Sequence, residues 1–321
     1  MERQVVTPFK KLKEYIYANI FTRMRKLLAF VVLVCLVSAQ VFAQSKTYVF
    51  ATYTYSTNNR LQNLEPLVAH LSDKVGITIK AVSYPTVQSL IEALEKDSVD
   101  FAMMNTSGYL VLNRNHPGIV NPLVNFDLGE SASTNYGGCL IANKKTGIRS
   151  ISELKQRNRK PSLSLVGRSS TSGNLVPRLL LNAKEIENPE AILLVNYSGT
   201  HKKVVEDVLS GRADVGGCGC AEIDSARKYM SFDEKAVVID SFNDIPLGPI
   251  VYNKNIDPGI IQLMAEQLTH LHNENFALLT RFSEGWTEFR GAKRFKKVSD
   301  KEYDDFRNMF GNNEGLWKLI D

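Results

Sequence analysis

The sequence is short of most features that announce a function. Its 321 residues hold four cysteines, Cys35, Cys139, Cys218 and Cys220. That is too few for a disulfide scaffold, so the fold must stand on its core. No apolar run reaches the roughly 20 residues that a spanning helix needs. No Gly-Lys-Ser/Thr closes a phosphate loop, and no Gly-x-Ser-x-Gly elbow presents a hydrolase nucleophile. Internal repeats, low-complexity segments and long basic runs are absent too. The net charge of +5 is local: residues 1–43 hold seven of the 39 Lys+Arg and two of the 34 Asp+Glu, leaving 32 of each sign. A neutral body argues against a polyanion-binding surface, so no nucleic-acid partner is expected.

What is present begins at the N-terminus. Arg23, Arg25 and Lys26 precede the apolar run 27–38, and Val41-Phe42-Ala43 follows it. A basic start, a short apolar run and a small-residue exit form a secretory signal peptide, with a cut after Ala43 and an exported mature chain. Met24 stands where such a peptide normally starts, which makes residues 1–23 an over-extended start or a long leader. Export leaves Cys139, Cys218 and Cys220, an odd count with at least one unpaired thiol.

Periodicity then divides the chain. Thr47–Thr52 reads as a strand, Arg60–Val75 as a helix stopped by Gly76, and Ile77–Val82 as a strand. Thr86–Lys96 reads as a helix and Val99–Met104 as a strand. A new segment begins at Leu140-Ile141-Ala142, and a short helix is expected at Ile151–Gln156. Ser162–Val166, Ile192–Val195 and Ala213–Val215 are strands, with helices at Leu175–Lys184 and Lys202–Ser210 between them. Val237-Val238-Ile239 and Ile250-Val251-Tyr252 read as strands returning to the first unit, and helices fill Ile260–Asn273 and Asp300–Met309. Two β-α-β-α-β runs predict two α/β lobes with parallel sheets around a cleft. Lobe one should hold residues 44–140 and 245–321, lobe two 141–244, joined by two crossing strands. Ligand residues should then follow the carboxyl ends of the strands.

After Val166 stands Gly167-Arg168-Ser169-Ser170-Thr171-Ser172-Gly173-Asn174, followed by a helix. Glycine, four consecutive hydroxyls and a helix start make an anion cradle, and one hydroxyl would suffice for a cap. Asn105-Thr106-Ser107-Gly108 opens a helix after Met104 and reads either as a second polar wall or as a capping box. His201 begins a helix after Gly199-Thr200, where an imidazole can donate to an oxyanion. Tyr53, Tyr55, Ser56 and Thr57 follow the first strand; the tyrosines either close over a ligand or pack in the core.

These positions together resemble the phosphate/phosphite/phosphonate-binding proteins of ABC importers, members of the periplasmic-binding-protein class. The similarity lies in Leu64-Glu65-Pro66-Leu67, Val99-Asp100-Phe101-Ala102, Ser170-Thr171-Ser172-Gly173 with Pro177, and Gly199-Thr200-His201 with Gly211-Arg212-Ala213-Asp214-Val215-Gly216. It continues at Val298-Ser299-Asp300-Lys301-Glu302-Tyr303-Asp304-Asp305-Phe306-Arg307. The resemblance implies that Ser170, Thr171, Ser172 and Gly173 hold a phosphorus oxyanion and that His201 contributes. Tyr55, Asn105 and Thr106 complete the candidate ligand residues. Two departures stand out. Met104-Asn105 replaces the family's frequent aromatic-Gly pair, and Asp214-Val215-Gly216-Gly217-Cys218-Gly219-Cys220 offers no carboxylate for a ligand amine before Glu222. An oxyanion end without an amine end is expected.

Capture of this kind requires dipoles and hydroxyls, so no enzymatic activity, cofactor or metal is expected. The expected protein is a monomer in the periplasm that presents its ligand to an ABC permease or to a membrane sensor. Cys218-Gly219-Cys220 admits a different reading, a thiol site for a soft ligand feeding a sensor; the alternatives are small buried residues or a disulfide to Cys139.

Overall fold

A computed structural model describes residues 13, 15, 17, 19, 21, 23–27, 46–56, 58–129, 136–311, 315 and 317. The apolar run beyond Leu27, Cys35, the cut after Ala43 and Thr57 lie outside the described residues. Residues 23–27 are helical and exposed. No described helix is long and apolar enough to cross a membrane.

Within residues 47–321 the chain builds two sheets. The first takes β1 (Tyr48–Tyr53), β2 (Ile79–Tyr84), β3 (Phe101–Met103), β4 (Val120–Asp127), β10 (Ile250–Asn253) and β11 (Arg294–Lys297), in the order β11-β4-β10-β3-β1-β2. Strands β2, β1 and β3 are parallel; β10 and β11 run antiparallel to their neighbours. Helices α1 (Leu61–Val75), α2 (Val87–Glu95) and α3 (Thr106–Asn115) alternate with these strands. The pleat sends alternate residues to opposite faces. Phe50 and Phe101 accordingly pack with Leu64, Leu67 and Leu71 of α1, whereas Ala51 and Ala102 pack with Leu90 and Leu94 of α2. Gly76 ends α1 in the left-handed region (φ 72°), its N–H donating to the Ser72 carbonyl.

The second sheet has the order β7-β6-β8-β5-β9. It comprises β5 (Gly138–Asn143), β6 (Ser162–Leu165), β7 (Leu194–Tyr197), β8 (Val215–Gly219) and β9 (Ala236–Phe242). Here β7, β6 and β8 are parallel and β5 and β9 antiparallel to their neighbours, so the plan of the first sheet recurs. A wide turn at Thr171–Leu175 runs into α4 (Val176–Asn182), and α5 (His201–Ser210) and α6 (Cys220–Tyr229) follow β7 and β8. The C-terminal part adds α7 (Pro258–Glu274) and α8 (Phe276–Ser283), whose Leu268, Leu271, Leu279 and Phe282 pack with Phe50 and Phe101. Tyr303 and Phe306 pack with Tyr109 of α3.

Three expectations are corrected. The segment around Val237-Val238-Ile239 does not return to the first sheet but closes the second as β9, pairing with β5. Gly138, Cys139 and Leu140 already belong to the second sheet. Strand β8 starts at Val215 and continues to Gly219, so Cys218 lies on it and not beyond it. The strand was hidden by Gly216 and Gly217, which carry no side-chain pattern. They are required because a Cβ at Gly216 would meet Val204 Cγ1 at 2.7 Å and one at Gly217 would meet Pro177 Cγ at 2.6 Å. Helices α5 and α4 thus sit directly on the strand's backbone.

Candidate functional site

Strand β6 delivers the chain to the Ser-Thr-Ser-Gly turn. The Val166 N–H donates to the Gly173 carbonyl (3.0 Å) and the Ser170 N–H to the Gly167 carbonyl (3.0 Å), which folds the loop back on itself. Ser170 is the helix cap: its hydroxyl accepts from the Gly173 N–H at 3.2 Å. The Thr171 and Ser172 amides fall in the first turn, where no earlier helical carbonyl is in place to accept them. A chain of polar groups running through the buried Asn174 and Arg178 to the surface fixes the loop from behind. Asn174 donates to the Arg168 carbonyl (2.7 Å) and accepts from Arg178 Nε (3.0 Å), and the Arg178 fork holds Glu190 at 3.1 and 2.6 Å.

His201 opens α5 beside this turn. Its Nδ1 accepts from the Gly219 N–H at 2.9 Å, which leaves the proton of the neutral ring on Nε2. Burial lowers its pKa from 6.5 to about 4, so the ring stays a neutral donor at ordinary pH. A Cβ at Gly173 would meet Val166 Cγ2 at 2.3 Å and His201 Cε1 at 3.0 Å, so glycine lets turn and imidazole meet. Protonation of His201 must break the Gly219 bond. In the unfolded chain the ring titrates near 6.5, above its folded value, so stability is lost as pH falls from about 6.5 toward 4. The stability of wild type minus that of His201→Asn, which keeps an acceptor but cannot titrate, should shrink over that window by up to about 3 kcal/mol. Urea unfolding at several pH values measures this difference; a flat profile contradicts the assigned tautomer.

The other expected residues divide. Tyr55 reaches across the cleft, its hydroxyl accepting from the His201 N–H at 3.4 Å and its ring stacked 6.1 Å from the imidazole. Burial raises its pKa to about 12, so it is a neutral hydroxyl. Asn105 caps α3 through the Gly108 N–H (3.0 Å) and donates to the Ser169 carbonyl (2.7 Å). Thr106 does not reach the cleft: it is fully buried and donates to the Pro246 carbonyl at 2.6 Å. Thr171 is engaged with α3, accepting from the Ser107 N–H (3.1 Å) and donating to the Ser107 hydroxyl (3.2 Å).

Ser172, Thr171, His201, Tyr55 and Asn105 border a cavity of about 420 Å³, within the range of small-ligand sites. A second cavity of about 230 Å³ shares its walls at Tyr136, Ser172, His201, Thr287 and Glu288. Four wall residues carried no signal in the sequence as read. Tyr136 lies between the two sheets with its hydroxyl against those of Thr171 and Ser172, and burial raises its pKa. Arg60 was read only as a helix start. Glu222 and Glu288 line the walls, and burial raises the pKa of both carboxyls. Glu288 comes from a turn far along the chain, and Glu222 reaches the wall from the first turn of α6.

The thiol site is overturned. Cys139 and Cys220 form a disulfide with Cα atoms 5.3 Å apart. Cys218, cross-strand from Cys139, is a fully buried thiol whose pKa burial drives upward. Among the described residues no group of three or more His, Cys, Asp or Glu side chains could hold a metal ion.

Comparison with known proteins agrees with this geometry. Residues 50–303 match the family described as ABC transporter, phosphonate, periplasmic substrate-binding protein. The chain is 24% identical over 269 residues to the phosphonates-binding periplasmic protein of Escherichia coli K12, covering 82% of this chain and 78% of that one. Among solved structures it is similar to PhnD1 of Prochlorococcus marinus in complex with methylphosphonate, with TM-score 0.67, 15% identity, and 85% and 100% of the two chains covered. The protein XAC2383 of Xanthomonas citri gives TM-score 0.68, 17% identity, and 85% and 98% coverage. Such proteins are two-lobed, and the family assigns delivery to an ABC importer, which the residues alone did not separate from sensing. The chain belongs to the periplasmic substrate-binding proteins of phosphonate ABC transporters.

Proposed function

We propose that this protein captures a small phosphorus oxyanion, a phosphonate or its relatives phosphite and phosphate, and hands it to a permease. The observation that carries this reading is a convergence on one cavity: the Ser172 hydroxyl, the Thr171 and Ser172 amides, and Nε2–H of His201. All are neutral donors, and a helix N-terminus adds its partial positive charge. We read residues 47–127 with 250–311 as one lobe and 138–242 as the other, acting as an exported monomer after loss of residues 1–43.

The acidic wall sharpens the choice of anion. Burial favours the neutral carboxyls of Glu222 and Glu288, whose carbonyl oxygens can accept from a phosphorus oxyanion that keeps a proton but gain nothing from sulfate, which has none. Methylphosphonate, phosphite and phosphate should therefore raise the melting temperature, and sulfate should not. At one hundred times Kd the stabilisation is about 2.7 kcal/mol. A thermal-shift series with these four anions checks the reading. It fails if no phosphorus oxyanion stabilises the protein, or if sulfate stabilises it equally.

A further inference from the structure

Arg60 is the residue of the cavity wall that oxyanion capture leaves without a task. It is 3% exposed, yet it lines the larger cavity beside Tyr53, Tyr55 and Gly285. Its guanidinium carbon stands 4.6 Å from the ring centroids of both Tyr53 and Trp286, with Tyr55 at 5.4 Å. Its Nε donates to the Gly285 carbonyl at 2.8 Å, and the Tyr53 hydroxyl lies in hydrogen-bonding reach of the guanidinium. Nη1 is buried without a hydrogen-bond partner. No ion pair to Arg60 occurs among the described residues. Leaving a buried, charged donor unpaired is costly, and removing it to an aromatic cage does not satisfy its N–H groups. The nearby acid does not resolve this. Burial favours the neutral form of Glu288 and outweighs the opposite pull of Arg60.

We propose that Arg60 is an anchor for a second group of the ligand, and that the preferred ligands are phosphonates bearing a carboxylate at the far end of a short chain. The phosphonate end lies at Ser172 and His201, and the carboxylate meets the guanidinium, whose planar fork matches it. This inference rests on the oxyanion reading above and adds the tail specificity to it. The opposite tail, an amine, has a less open place. Of the two acids on the smaller cavity, Glu222 already stands in the field of Lys202 and Arg290, and Glu288 in that of Arg60 itself.

The test is a calorimetric comparison of methylphosphonate, ethylphosphonate, 2-aminoethylphosphonate and phosphonoacetate on the purified protein. Wild type should bind phosphonoacetate at least about tenfold more tightly than ethylphosphonate, a factor set by one charge-assisted hydrogen bond. Arg60→Gln should reduce that ratio about tenfold, and Arg60→Lys should retain part of it. The wild-type ratio needs no variant, so misfolding of Arg60→Gln does not shelter the idea. It is overturned if ethylphosphonate binds as tightly as phosphonoacetate, if 2-aminoethylphosphonate is preferred, or if Arg60→Gln leaves the ratio unchanged. Binding of methylphosphonate without a carboxylate preference removes this inference alone. No binding of any of the four removes the oxyanion reading as well.

Discussion

Replacing Thr171 and Ser172 together by alanine is expected to weaken methylphosphonate binding by at least about tenfold. A hydroxyl that donates to an anion contributes about 1.5–3 kcal/mol, every 1.4 kcal/mol is a factor of ten, and of the two only Ser172 has its proton to give, since that of Thr171 goes to Ser107. The two residues are adjacent, and their losses need not add. Thr171 has a second role that raises the stakes. Its hydroxyl joins Ser107 on α3, so the alanine also removes a link between the two sheets. Fold stability should fall by about 1–3 kcal/mol, because the buried Ser107 N–H loses its acceptor, while the helix keeps its Ser170 cap. Calorimetry on the double variant decides the matter, and an affinity within threefold of wild type would refute the site.

The second large effect concerns the Cys139–Cys220 bridge. Its partners are 81 residues apart in sequence. Closing such a loop in the unfolded chain corresponds to about 4.5 kcal/mol of stabilisation in the chain-entropy model. For a chain of this size that is a drop of roughly 10 °C in melting temperature when the bridge is lost. The bridge also pins the first turn of α6, which brings Glu222 to the cavity wall. Scanning wild type with and without reductant, alongside Cys139→Ser/Cys220→Ser, gives the answer. A melting temperature that moves by less than about 2 °C in both experiments would show that the fold does not lean on this link.

Much of this architecture was legible because its helices are amphipathic and its cradle is local. Leu61–Val75 spaces its apolar residues at helical intervals and ends on a glycine, and Ser169–Ser172 lies in one run between strand and helix. The losses have physical causes. Strand β9 was assigned to the wrong sheet because pairing partners far apart in sequence leave no periodic trace. Strand β8 reads as glycine and cysteine, since its backbone touches two helices. Arg60, Tyr136 and Glu288 stand in or beside loops, where nothing in the spacing says which way a side chain faces. Thr106 failed in the opposite sense: its type suited the site, but the nearest acceptor was the Pro246 carbonyl.

The hydrogen bonds that cross between the sheets have a consequence for the transport cycle. Asn105 and Ser107 hold the Ser169 carbonyl at 2.7 and 2.8 Å, Ser107 joins Thr171, and Tyr55 meets the His201 amide. These bonds are the protein's own, each contributing about 0.5–1.5 kcal/mol net to the arrangement in which the two sheets meet. Economical import then depends on how far cargo shifts the balance between open and shut, which is its differential affinity for the two forms. Weakening the Asn105 and Ser107 contacts would make docking more dependent on cargo, at the expense of tightness of capture.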